Sequence, residues 1–133
     1  KNLDPKRHIH MQQGDLRKTF TTDASFHMVN KQSVDLLRQK VLDAHPEGIG
    51  NFWIDAEQFR SNLVIDYDAF AEDTFIEMRV GTCLMRTAGP CIRCNAIRTN
   101  FEAGCRVDEE EPNRTMRKFR NVPEMGIIFG MYY

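Results

Sequence analysis

The sequence predicts a mainly β fold of the α+β class: a barrel-like β domain with helical insertions. Three observations predict it. Short apolar runs recur along the chain with turn residues between them, the pattern of many brief strands rather than of alternating long helices and strands. One stretch, opening at Asn30 or Ser33, carries a sustained helical period. No internal repeat imposes a solenoid or propeller. With 133 residues, a hydrophobic fraction of 41% and nine Phe, the chain is the size of one domain. It can bury a core without disulfide staples.

In order, residues 1–20 read as a polar arm and residues 21–133 as the folded domain. Thr21 to Ser25 is a hydroxyl-rich turn, and Phe26 to Val29 a short strand. Asn30 or Ser33 caps a helix running to about Asp43, with Val34, Leu37, Val41 and Ala44 on one face. His45-Pro46-Glu47-Gly48 breaks it. Asp55 to Phe59 reads as a helical turn. Leu63-Val64-Ile65 is continuously apolar, which predicts a strand covered on both faces. Ile76, Met78 and Val80 alternate with Glu77 and Arg79, so that strand keeps one wet face. Gly81 turns the chain into a partner strand over Cys83 to Thr87. A cysteine-bearing loop follows, then a strand over Ala96 to Thr99. Phe101 to Pro112 reads as an acidic loop whose Asp108 to Glu111 run is solvated, since clustered like charges repel. A short helix spans about Thr115 to Arg120, and Ile127 to Phe129 with Met131 to Tyr133 form the last strand. Phe20, Phe26, Phe52, Trp53 and Phe59 are core aromatics, and His27 a core or surface histidine.

A formal net charge of -1 gives no basic field for nucleic acid or an anionic membrane. No apolar run is long enough to span a bilayer, and no signal-peptide pattern opens the chain. Lys1 in place of Met suggests a processed or excised piece of something longer. The four cysteines, Cys83, Cys91, Cys94 and Cys105, read as reduced thiols in an intracellular setting.

The most informative stretch is Gly89-Pro90-Cys91-Ile92-Arg93-Cys94-Asn95. It sets two thiols beside a guanidinium that stays protonated, and a thiolate is both nucleophile and soft-metal ligand. Zinc would call for a second ligand pair, which the spacing does not supply. A thioredoxin-type pair would open a helix, whereas the next residues read as a strand. The plain alternative is two packed thiols flanking a turn.

Three stretches in sequence order resemble the MOSC domain family, the C-terminal module of molybdenum cofactor sulfurases. They are Phe59-Arg60-Ser61-Asn62 before an apolar strand, Ala71-Glu72-Asp73-Thr74-Phe75 with Val80-Gly81, and the Cys91-Ile92-Arg93-Cys94 loop. Thr22-Asp23-Ala24-Ser25, Glu111-Pro112 and Phe129-Gly130-Met131-Tyr132 support the match. The resemblance implies a MOSC-type β-barrel-like domain that binds the molybdenum cofactor, a molybdopterin. It implies Cys94 as the molybdenum ligand or sulfur acceptor and Arg93 as the residue that favours its thiolate or holds cofactor anions. It also implies that Arg60 and Asn62 face the pterin, and that Thr22, Asp23, Ala24 and Ser25 offer amides and hydroxyls to pterin and phosphate. Plainer roles stand beside these: an ion pair of Arg93 with a carboxylate, a pair of Arg60 with Asp55 or Glu57, Asn62 as a strand opener, and Cys91 as a packed residue.

Two functional branches follow from the resemblance. One is sulfur transfer in a cytoplasmic molybdenum cofactor sulfurase, with pyridoxal phosphate confined to a separate cysteine desulfurase domain and molybdenum hydroxylases as acceptors. The other is reduction of N-hydroxylated compounds, as in the amidoxime-reducing component of the mitochondrial outer membrane, with electrons from a cytochrome partner. A non-catalytic MOSC-like binding module is the third reading. The resemblance also implies further strands ahead of Thr21 and beyond Tyr133.

Overall fold

The computed structural model describes residues 24–49, 54–100, 104–106 and 110–133. Its main sheet has the strand order β2 (Leu63–Ile65), β1 (His27–Asn30), β9 (Gly126–Tyr132), β5 (Gly89–Ile92), with β8 (Asn121–Val122) also paired to β9. β3 (Glu77–Val80) and β4 (Cys83–Arg86) form a separate hairpin, and β6 (Thr99–Asn100) pairs β7 (Cys105–Arg106). The fold is therefore the β-rich α+β class, but the sheets stay open among the described residues, so the barrel-like closure expected from sequence is not seen there.

β1 and β2 run parallel while β9 is antiparallel to β1 and β5. A parallel pair needs a long crossover, and helix α1 (Lys31–Ala44) forms the first part of it. Asn30 caps α1, its Oδ1 accepting from Gln32 N–H at 3.2 Å and from Tyr67 N–H at 3.1 Å. Its Nδ2 donates to Asp68 O at 2.8 Å and to Glu72 Oε2 at 3.1 Å. Ser33 Oγ donates to Glu72 Oε1 at 2.7 Å. Glu72 is fully buried, and burial raises its carboxyl above the ordinary range. This network ties the start of α1 to the turn that follows β2.

The helix buries Ser33, Val34, Leu37 and Val41, whereas Ala44 is exposed. The predicted apolar stripe thus ends one turn early, where the chain leaves the sheet. On the helical side of the sheet, Val29, Leu37, Phe59, Ile97, Met116 and Phe129 form the larger core. Phe59 and Phe129 stack with ring centroids 4.5 Å apart. The opposite face holds Met28, Met131 and Tyr133, with Met78 and Met85 of the hairpin laid over it. That cover is partial. Val64 is 54% exposed because β2 is an edge strand, so Leu63 to Ile65 is not sealed on both faces as its composition suggests.

Three further expectations change. Ala96 to Thr99 is not a strand, since Asn95–Arg98 forms a 3₁₀ turn that drops Ile97 into the core. Phe26 is exposed rather than core, one residue outside β1, and Phe59 alone among the described aromatics of that group is buried. Phe20, Phe52 and Trp53 lie outside the described residues. Glu111 is buried, not solvated: it accepts from Thr115 N–H and Thr115 Oγ1, both at 3.0 Å, and lies 3.2 Å from His45 Nε2. It joins the end of α1 to α2 (Asn113–Met116), which begins earlier than sequence periodicity indicates. Asp108 and Glu109 lie outside the described residues.

Candidate functional site

The site is built around the exit of β5. Alternation along β5 turns Cys91 into the protein and leaves Ile92 outside, so Cys91 is buried and Cys94 exposed. Cys94 is extended (φ -99°, ψ -179°) and precedes the 3₁₀ turn without spending its side chain on a cap hydrogen bond. Asn113 holds this loop from behind, with its Nδ2 donating to Asn95 Oδ1 at 3.0 Å and to Cys94 O at 3.5 Å. The result is a thiol presented outward on a braced backbone. All four cysteines are free thiols.

Arg93 turns inward between these two cysteines. Its Nη1 donates to Cys91 Sγ at 2.8 Å and lies 3.5 Å from His27 Nε2, and its Nη2 donates to Phe59 O at 3.2 Å. The guanidinium sits 5.1 Å from the Phe59 ring centroid. Its Nε is buried without a partner. No carboxylate pairs with Arg93 among the described residues, so the expected ion pair is not found. Its sulfur contact is with Cys91 rather than with Cys94. Cys91 in turn donates to Tyr132 Oη at 3.1 Å, so it is packed, as expected, yet also lies in a polar cluster.

Arg60 is next to the carbonyl that Arg93 grips. It closes the 3₁₀ turn Ala56–Phe59 in the left-handed region (φ 54°), and its N–H donates to Glu57 O at 2.9 Å. The turn forms because Asp55 and Gln58 make a reciprocal capping box. The Arg60 side chain is exposed and pairs with neither Asp55 nor Glu57. Asn62 does begin the next strand: its N–H donates to His27 O at 3.0 Å and its Oδ1 accepts from His27 N–H at 2.6 Å. Its carboxamide oxygen is therefore spent on β1. Ala24 is buried and Ser25 half-buried just ahead of β1, while Thr22 and Asp23 lie outside the described residues.

The structure thus gathers Arg60, Asn62 and Arg93 around one residue that sequence reading left without a role, His27. The ring is buried, and its centroid lies 5.3 Å from that of Tyr132. Burial, with Arg93 adding to it, pushes its pKa down from 6.5 to about 4, partly offset by hydrogen bonds to the backbone of Arg60, Phe129 and Phe59. Its inward orientation was readable from alternation with Val29. Its proximity to Arg93 was not, because 66 residues separate them.

The lowered pKa has a stability consequence. Between pH 6.5 and about 4 the unfolded chain binds the proton that the folded His27 refuses, so stability falls as pH drops through that window. A shift from 6.5 to about 4 amounts to on the order of 3 kcal/mol. Urea unfolding from pH 7 down to 4 is expected to show this slope. His27→Gln, which cannot titrate, is expected to flatten it, and an equal slope in both proteins would assign the loss to other groups.

The fold and this loop define a β-rich domain that presents the exposed Cys94 thiol on the loop after β5. The family model of the MOSC domain matches residues 15–133, and the chain belongs to that family. It is 30% identical over 128 residues to the molybdenum cofactor sulfurase of Danio rerio, covering 90% of this chain and 15% of that protein. The Oryza sativa subsp. japonica molybdenum cofactor sulfurase is 25% identical over 113 residues, 84% of this chain and 14% of that protein. The mitochondrial amidoxime reducing component 2 of Macaca fascicularis is 31% identical over 85 residues, 58% of this chain and 25% of that protein. The chain therefore spans only a small part of the curated relatives it matches. Among the described residues, no helix is long and apolar enough to cross a membrane.

Proposed function

We propose that this domain binds the molybdenum cofactor and passes sulfur to it, as the MOSC part of a molybdenum cofactor sulfurase acting in the cytoplasm. The observation that carries the reading is the exposed, uncapped Cys94 thiol, held on a loop braced by Asn113. The donor is a pyridoxal phosphate-dependent cysteine desulfurase domain. The Cys94 thiolate attacks the outer sulfur of the donor's cysteine persulfide, the donor's S–S bond breaks, and the donor cysteine leaves as a thiolate. The new S–S bond leaves the sulfane sulfur on Cys94. When bound, the cofactor would supply a thiophilic metal centre for this sulfur, the two electrons that return sulfane sulfur to the sulfide level coming from an external thiol, and molybdenum hydroxylases would be the enzymes that use the product.

The residues present fit such a group. The exposed Cys94 thiol suits a thiophilic metal. Arg60 offers an exposed guanidinium without a carboxylate partner among the described residues, matched to phosphate or pterin oxygens. Asn62 keeps its amide N–H₂ for a heterocycle edge, Ala24-Ser25 lead into β1, and the resemblance adds Thr22 and Asp23 to this set. Arg93 orders the wall behind them. Arg60→Ala is expected to weaken binding of isolated cofactor by about 1.5–3 kcal/mol, the scale of a lost charged hydrogen bond. Titration of the purified chain measures this, and unchanged affinity would move Arg60 to a structural role.

The wider coverage of this chain by the sulfurases, 90% and 84% against 58% for the amidoxime-reducing relative, favours sulfur transfer. A second reading, reduction of N-hydroxylated compounds with Cys94 as a standing molybdenum ligand, is supported by the same exposed thiol and by the 31% identity to that relative. Incubating cofactor-loaded chain with labelled desulfurase persulfide separates the two. Label arriving on Cys94 supports sulfur transfer. A loaded chain that takes up no label but reduces an amidoxime with a chemical electron donor supports the reductase.

A further inference from the structure

We propose that His27 is the positioning residue of this site: its backbone fixes Asn62, and its ring fixes the Arg93 guanidinium against the Phe59-Arg60 turn. The inference rests on the cofactor-binding reading for its purpose, but its geometry stands without it. Asn62 is locked to His27 by two hydrogen bonds, at 2.6 and 3.0 Å. Arg93 Nη1 faces His27 Nε2 at 3.5 Å while Nη2 holds Phe59 O. A guanidinium has only donors, so the imidazole nitrogen beside it serves as an acceptor and the ring is neutral. The ring's other side meets the backbone of Arg60 and Phe129. One small planar group therefore accepts from the arginine and bonds the turn that presents the second arginine.

The slot is shaped for this ring. A Cβ on Gly130 would stand 2.7 Å from His27 Nε2, so β9 approaches the imidazole as closely as a glycine permits. An apolar side chain at position 27 would leave Nη1 with Cys91 Sγ as its remaining acceptor and one N–H unpaired, on a guanidinium whose Nε already has no partner. The guanidinium would then turn away to find another partner, since a buried unsatisfied donor is costly. Among the described residues, the charged and titratable groups facing the ring are Arg93 from the loop after β5 and Tyr132 from β9, with Cys91 bonded to both of these, while Arg60 meets the ring through its backbone alone. Protonation of the ring would set a second cation against Arg93.

Arginine side-chain NMR on the full chain tests this, with the Arg93 Nε–Hε signal assigned by its loss in Arg93→Lys. In the parent the signal is expected to move with a midpoint at about pH 4, and in His27→Gln it is expected to stay put. In His27→Leu its exchange with water is expected to quicken about tenfold or more, as the guanidinium loses its anchor at Nη1 and leaves its buried seat. Isolated cofactor is expected to bind His27→Leu about tenfold more weakly and His27→Gln within about threefold of the parent, because glutamine keeps both an acceptor and a donor. An Arg93 signal that ignores both pH and His27→Leu would overturn the proposal. If His27→Leu fails to fold, the comparison of the parent with His27→Gln across pH decides. An Arg93 signal that follows His27 in a parent chain that binds no cofactor would sink the cofactor reading and leave the positioning role standing.

Discussion

Cys94→Ser is expected to abolish acceptance of labelled sulfur from a desulfurase persulfide and to leave unfolding by urea unchanged within about 0.5 kcal/mol, the scale of an exposed substitution. The hydroxyl has the shape of the thiol but neither its nucleophilicity nor its affinity for a soft metal. The side chain is exposed and caps nothing, so no packing is lost. Cys91→Ser is expected to do the reverse. It keeps transfer at a reduced level and costs stability, because Cys91 Sγ accepts from Arg93 and donates to Tyr132 inside the domain. Mass spectrometry of the labelled persulfide together with denaturation curves separates the two effects. A Cys94→Ser chain that still takes up label would remove Cys94 from the chemistry.

Gly130→Ala is expected to give the largest loss of stability, roughly 2–5 kcal/mol, adding the left-handed penalty to the cost of overpacking. Gly130 has φ +78°, and an added Cβ would stand 2.6 Å from Met28 O and 2.9 Å from Val29 Cγ1. The reason lies in β9. Ile127 and Phe129 face the helical core, whereas Met131 and Tyr133 face the opposite layer, so the strand's alternation reverses at Gly130. That reversal turns Tyr132 toward His27 and Cys91. Chemical denaturation measures the loss, and a change below about 1 kcal/mol would show that the backbone relaxes around the methyl group.

Much of the fold was legible where local chemistry decides it. Asn30 announces the start of α1, the spacing of Val34, Leu37 and Val41 announces its buried face, and Gly81 announces the β3–β4 turn. The reading failed where distant neighbours decide. Val64 looked buried because its own residues are apolar, but exposure depends on β2 lying at the sheet edge. Glu111 looked solvated because its sequence neighbours are acidic, but His45 and Thr115 give it partners. Ala96 to Thr99 looked like a strand, yet it is a single tight turn that buries Ile97. In the candidate site the resemblance drew attention to Cys91, Arg93, Cys94, Arg60 and Asn62. The cluster that orders them, through His27, Tyr132, Gly130 and Asn113, draws on three separate regions of the chain, and no local pattern connects those regions.

β1 lies between β2 and β9, and the residues it meets in β9 come about a hundred positions later in the sequence. A nascent chain emerging from the ribosome can therefore join β1 to β2 and wind the first helix while one flank of that strand still has bare amides and carbonyls. The flank is covered only once residues 126–132 have been synthesised. Until then the half-made sheet is an open template for a neighbouring polypeptide, and chaperone shielding during translation matters more for this architecture than for one assembled from adjacent hairpins.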